Sequence, residues 1–213
     1  MRNSLRFIAV ASTLFLAATL PAQFKMAVGP AVGLNLNLHS GSDLPQSGSG
    51  LGLALAGEAD MSFNKSLGLI ASLYFYDARS GSYSMTESNV TYDVSASVSY
   101  FQLEPLLKIQ MQNSPLYFVA GPSLGFNLTG EGEITITTPG YTFQGGSRTQ
   151  KQTFQNMNAR FELKAGAGYS FPMGSFALDP RFTFGYGITN VQQNVNWKIM
   201  TFQAIVAVKF NII

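Results

Sequence analysis

The stretch LGLALAGEADMSF (51–63), the turn NKS (64–66) and LGLIASLYF (67–75) decide how this chain folds. In the first segment Leu51, Leu53, Leu55, Ala59, Met61 and Phe63 are apolar. The residues between them, Gly52, Ala54, Ala56, Glu58, Asp60 and Ser62, are small or polar. A period of two belongs to β-strand, whose successive side chains point to opposite faces. Beyond the turn, Leu67, Leu69, Ala71, Leu73 and Phe75 resume the alternation, so the stretch reads as an antiparallel hairpin.

The same pattern extends in both directions. Upstream lies a strand with Met26, Val28, Pro30, Val32, Leu34, Leu36 and Leu38 on its apolar face. The strand from Leu67 runs to about Arg79, and a fourth runs from about Val94 to Met111. In the fourth the apolar set changes from Val94, Val98 and Tyr100 to Phe101, Leu103, Leu107 and Ile109. One extra residue near Tyr100, a β-bulge, would produce that change of phase. A fifth strand carries Leu116, Phe118, Ala120, Pro122, Leu124, Phe126 and Leu128. A sixth carries Phe161, Leu163, Ala165, Ala167, Tyr169 and Phe171. Phe176, Leu178, Phe182, Phe184, Tyr186 and Ile188 mark the seventh. The eighth has Met200, Phe202, Ala204, Val206, Val208, Phe210 and Ile212. The expected fold is all-β: an eight-stranded antiparallel up-and-down barrel that crosses a membrane.

Composition agrees with an apolar surrounding. Only 11% of the 213 residues are charged and 13% are aromatic, against about 25% charged in a typical soluble domain. There is no Cys, which excludes a disulfide framework and any thiolate metal site. Residues 1–22 read as a cleaved signal peptide: Arg2 and Arg6, an apolar run from Phe7 to Leu20, and Leu-Pro-Ala before Gln23. The barrel domain is then 23–213. Without Arg2 and Arg6 the remaining charges balance, so nothing here invites nucleic acid. After residue 22 no apolar run is long enough for a membrane helix.

A soluble lipocalin-like barrel would show the opposite sense, apolar inside and polar outside. Connector lengths separate the two readings. Links after the first, third, fifth and seventh strands are long (about 39–50, 80–93, 129–157 and 190–197), and the others span three or four residues. That sorting belongs to outer-membrane barrels, with short periplasmic turns and long extracellular loops. Phe63, Phe118, Tyr169, Phe171 and Phe176 cluster beside the short turns as an interfacial aromatic girdle. Backbone groups in lipid must all be paired, so the first strand is expected to close on the eighth.

With the apolar face outward, the inward set holds Glu58, Asp60, Glu104, Lys108, Arg160, Glu162, Lys164, Asp179, Arg181 and Lys209. Eight strands leave room for side chains and no open pore, and Tyr74, Tyr76 and Tyr117 are expected to fill more of it. The balanced charges predict a salt-bridge network that closes the lumen; a narrow ion path is the alternative. No catalytic or metal site is expected. His39 is the single imidazole, and a rim hydrolase built on His39 and Ser40 is the weaker reading. Gly48 to Gly52 and Ala165 to Gly168 lack the Lys-Ser/Thr of a phosphate-binding loop, so no cofactor is expected. In the third long loop, residues 133–138, Pro139-Gly140 and 141–144 read as a projecting hairpin. Its Ile134, Ile136, Tyr141 and Phe143 are candidates for recruiting a partner along an exposed edge.

Tyr100-Phe-Gln-Leu-Glu-Pro-Leu-Leu-Lys-Ile109, Leu116-Tyr-Phe-Val-Ala-Gly-Pro-Ser-Leu-Gly125, Ala165 to Gly168 and Asp179-Pro-Arg-Phe182 resemble successive strands of a known family. It is the small outer-membrane barrel family common in Bacteroidetes, which includes PorT-like proteins; the architecture is OmpA- and OmpX-like. The resemblance implies a Gram-negative outer membrane, with the N-terminus and short turns in the periplasm. It also implies lipid contact and assembly by the barrel-insertion machinery. It supplies no shared activity. PorT-like members act in protein secretion, so a secretion partner is an alternative to an extracellular one, and the barrel is expected to be a monomer. Many such barrels end on an aromatic residue; this chain ends Phe210-Asn-Ile-Ile213, which leaves Phe210 as the candidate for that role.

Overall fold

The computed structural model describes residues 24–138 and 147–212. The signal-peptide reading, Tyr141, Phe143 and Ile213 lie outside the described residues. Eleven strands follow one another: β1 (Lys25–Ser40), β2 (Gly48–Ser62), β3 (Leu67–Ala78), β4 (Gly81–Glu87), β5 (Val90–Gln110), β6 (Leu116–Thr137), β7 (Ser147–Thr153), β8 (Arg160–Tyr169), β9 (Phe171–Met173), β10 (Phe176–Gly187) and β11 (Lys198–Asn211).

Eight of them form a closed antiparallel ring in the order β1, β2, β3, β5, β6, β8, β10, β11. β11 returns to β1 with Val32 opposite Val206 and Leu36 opposite Phe202, so the expected closure is present. The remaining three are appendages of this ring. β4 pairs with β5, β7 with β6, and β9 with β10.

The outer face is greasy. Leu34 is 60% exposed and Phe182 69% exposed, while inward neighbours such as Asn35, Arg181 and Glu104 are buried. In water each such exposed side chain would forgo roughly 1.5–3 kcal/mol of burial. Surrounding hydrocarbon removes that cost. The aromatics near the short turns pack in pairs: Phe24 with Phe63 at 6.5 Å, Tyr169 with Phe171 at 4.4 Å, and Phe176 with Phe210 at 6.2 Å between ring centres. Phe118 stands beside them on the outer face.

Three details differ from the sequence reading. The first is the phase of β3. Tyr74 pairs with Ala56 and Tyr76 with Leu55, so one extra residue is inserted there. Phe75 and Tyr76 consequently both face outward, and Tyr76 does not fill the lumen. Asp77 and Arg79 are carried inward and are fully buried.

The second concerns β5, which keeps one phase throughout: Val94, Ala96, Val98, Tyr100, Gln102 and Glu104 all turn to the inside. A bulge does lie at Ser99/Tyr100, but the extra residue, Leu128, is on β6. The apparent phase change in the sequence is a change in what the inside is made of.

The third is the hairpin of the third long loop. Its arms are β6 and β7, with Thr137 opposite Ser147 and Glu131 opposite Thr153. The described returning arm is 147–153, a strand the sequence reading did not expect; 141–144 lie outside the described residues. The second long loop is a hairpin too. β4 and β5 are joined by Ser88 and Asn89, both at positive φ (50° and 66°), the geometry of a type I′ turn.

Candidate functional site

Twelve charged side chains lie buried inside the ring, six acids and six bases among the described residues. Near the short turns, the Lys209 ammonium is 3.0 Å from Asp60, 3.3 Å from Asp179 and 3.6 Å from Glu58. Lys108 reaches Asp60 at 2.7 Å, and the Tyr117 hydroxyl donates to Asp179. One layer further, Arg181 pairs with Glu58, which also accepts from Ser72 at 2.9 Å. Lys164 pairs with Glu104, and the Tyr74 hydroxyl lies 3.1 Å from both Glu104 and Gln203.

In the layer nearest the long loops, Arg160 meets Glu162 at 2.9 Å. Arg79 binds Asp77 through Nε at 2.8 Å and lies 3.8 Å from Glu162. Asn35 donates to Asp77 at 2.7 Å and accepts from Gln203 at 2.9 Å.

All ten inward charges read from the sequence are therefore buried in this stack. Asp77 and Arg79 join them unannounced, because the insertion at Phe75/Tyr76 reverses the local parity. A signal was present: a charged pair two residues apart would otherwise face outward at the end of an apolar strand. Burying an ion costs several kcal/mol unless it is paired and hydrogen-bonded. Each cation here has at least one carboxylate within 4 Å.

Above Arg160 the interior changes character. The Arg160 guanidinium lies 5.9 Å from the Tyr100 ring centre. Tyr100 then packs with Val98, Val191, Trp197 and Ile199, joined by Leu44, Phe154 and Val195. The β4–β5 and β6–β7 hairpins raise the wall, and residues 188–197 fold in as a floor. Asn158 donates to the Val191 carbonyl and Val191 to that of Trp197. Asp43 accepts from the Asn196 amide at 2.8 Å, tying the first long loop to the last. The result is a cup of about 260 Å³ whose lining is mostly apolar. Partial burial in its wall raises the pKa of the Tyr83 phenol above its ordinary value.

His39 sits at the base of this cup. Trp197 Nε1 donates to His39 Nδ1 at 3.0 Å, and the two rings are 5.6 Å apart. Ser40, the next residue in the strand, points to the other face, so no His39–Ser40 pair is assembled. Ile134 and Ile136 lie on β6 within the wall. Ile134 lines the cup, which is where the structure puts the describable half of the candidate hairpin.

A family model described as an outer membrane protein beta-barrel domain matches residues 21–193. The chain belongs to that family. It is an outer-membrane β-barrel of a Gram-negative bacterium, in contact with the lipid bilayer, with short turns in the periplasm and long loops extracellular. Among solved structures it is similar to Ail of Yersinia pestis in complex with the heparin analogue sucrose octasulfate, at 14% identity. That match covers 88% of this chain and 99% of Ail, with a TM-score of 0.42. Neisserial surface protein A is 17% identical, with 86% and 97% covered and a TM-score of 0.44. OprG from Pseudomonas aeruginosa is 10% identical, with 89% and 95% covered and a TM-score of 0.41. No curated protein matches the chain. The barrel thus presents two interiors, a charged stack within the membrane and an apolar cup on the extracellular side.

Proposed function

We propose that this outer-membrane barrel is a closed, non-enzymatic surface protein that meets its extracellular partners through the wall above the membrane. The observation that carries the reading is the stack of six buried acids and six buried bases among the described residues, whose side chains crowd the interior of the ring. Eight strands enclose space for side chains alone, and here Tyr74, Tyr117, Arg79 and Arg181 occupy it. Interaction is left to β4, β7 and the upper parts of β5 and β6, which rise beyond the lipid-facing band. On this reading the chain loses residues 1–22 on export, is inserted by the barrel-insertion machinery and works as a monomer. The test is conductance of the purified barrel in planar bilayers. A closed lumen gives no reproducible current steps, and a stable open conductance would overturn the proposal.

A further inference from the structure

We infer that the extracellular cup is a binding site for a small apolar molecule carrying one hydrogen-bond acceptor, such as a ketone, held at its base by His39. The argument starts from the imidazole. Because Nδ1 accepts from Trp197, the ring proton of the neutral imidazole sits on Nε2. His39 is 4% exposed, and the Ser80 carbonyl is its neighbouring backbone acceptor. Even so, Nε2 has no partner that meets hydrogen-bond geometry among the described residues. With only this ill-placed carbonyl beside it, the donor gains from a ligand acceptor that meets hydrogen-bond geometry; a fully unmatched buried donor costs about 1–3 kcal/mol.

The space around this donor is shaped. Leu44, Val94, Ile134, Phe154, Val195 and Trp197 line it, with polar residues in the remainder of the lining. Two glycines let the rings lie against the wall. A Cβ on Gly81 would stand 2.6 Å from His39 Nε2, and one on Gly132 would stand 2.8 Å from the tip of the Phe154 ring. Alanine at either position would push a ring into the cup. Its volume, about 260 Å³, falls just under the ~300 Å³ where clefts for drug-sized ligands begin. The ligand is therefore a single ring or a short branched chain. The charged stack beneath blocks onward passage, so the site holds its ligand and does not conduct it.

The chain has one tryptophan, and its indole N–H is the proton bonded to His39. A ¹H–¹⁵N spectrum of the barrel in nanodiscs therefore carries a single indole signal from the floor of the cup. The probe is 4-tert-butylcyclohexanone, with tert-butylcyclohexane as the counterpart lacking the acceptor. The ketone should move that signal saturably, and the hydrocarbon should bind about five- to tenfold more weakly, the share of one hydrogen bond. His39→Leu should abolish the difference between the two, and V94F/I134F should abolish saturation altogether. Folding of both variants is checked by heat-modifiable gel mobility; if V94F/I134F fails it, Gly132→Ala serves as the filling variant. Equal affinity for ketone and hydrocarbon, or a linear, unsaturable shift that persists in the filled variant, would overturn the assignment. So would a cup that responds only to an apolar side chain presented by a protein.

Discussion

The two interiors of this barrel are built by the same strands and obey opposite rules. On β5, Lys108 and Glu104 point into the membrane-level lumen, while Val98, Ala96 and Val94 point into the cup above. Below Arg160 the surroundings outside are apolar, and the inside carries paired ions packed among Ile70, Leu106, Val119 and Ile205. Above it the outside is water, and the inside collects Trp197, Phe154, Val191 and Ile199. The strand's alternation is constant; its meaning inverts at the membrane boundary. In the lower half what must be kept from lipid is charge, and in the upper half what must be kept from water is apolar surface.

The largest effect expected from breaking this contrast is in the lumen. Arg181→Met leaves Glu58 without its main partner and should cost about 3–5 kcal/mol in urea unfolding from vesicles. Removing both partners, Arg181→Met with Glu58→Met, should recover most of that loss. If the single variant lost almost nothing, the stack would not be a packed network. Next comes the outer face. Leu55→Arg within the lipid-facing band should cost about 2–4 kcal/mol, whereas Ser82→Arg on the extension should cost about 0–1 kcal/mol. Equal costs would move the membrane boundary away from the level of Arg160.

Within the cup the scale falls again. His39→Leu removes the acceptor of the Trp197 indole but also the unmatched Nε2, and the net loss should not exceed about 1 kcal/mol. Smallest is Lys151→Ala. The Lys151–Glu133 bridge spans 3.2 Å on the exposed hairpin, with Lys151 78% exposed. Its loss should stay below about 1 kcal/mol and vanish in high salt, unlike any pair in the lumen.

Much of this was legible in the sequence, and the gaps have physical causes. Alternation from Leu51 to Ser62 is unbroken in β2, and the ten inward charges followed from parity alone. Parity fails where one residue is inserted. Phe75 and Tyr76 both face lipid, and that shift hid Asp77 and Arg79 while misplacing Tyr76. The cup was illegible for a different reason. Val94, Val98 and Tyr100 look like a lipid face, because hydrophobicity reports that water is avoided and not which side does the avoiding. Trp197 and Val191, in a loop with no period, could be placed only by their tertiary contacts with Tyr100 and Ile199.

A closed charged lumen beneath an open apolar cup is tested most directly by thiol accessibility, for which the Cys-free chain is already suited. Ser72→Cys puts a thiol in the charged stack, and Val94→Cys puts one in the cup wall. A charged, membrane-impermeant thiosulfonate should label Val94→Cys promptly in the folded barrel and leave Ser72→Cys unmodified until it is unfolded. Labelling of both at the same rate would contradict the account.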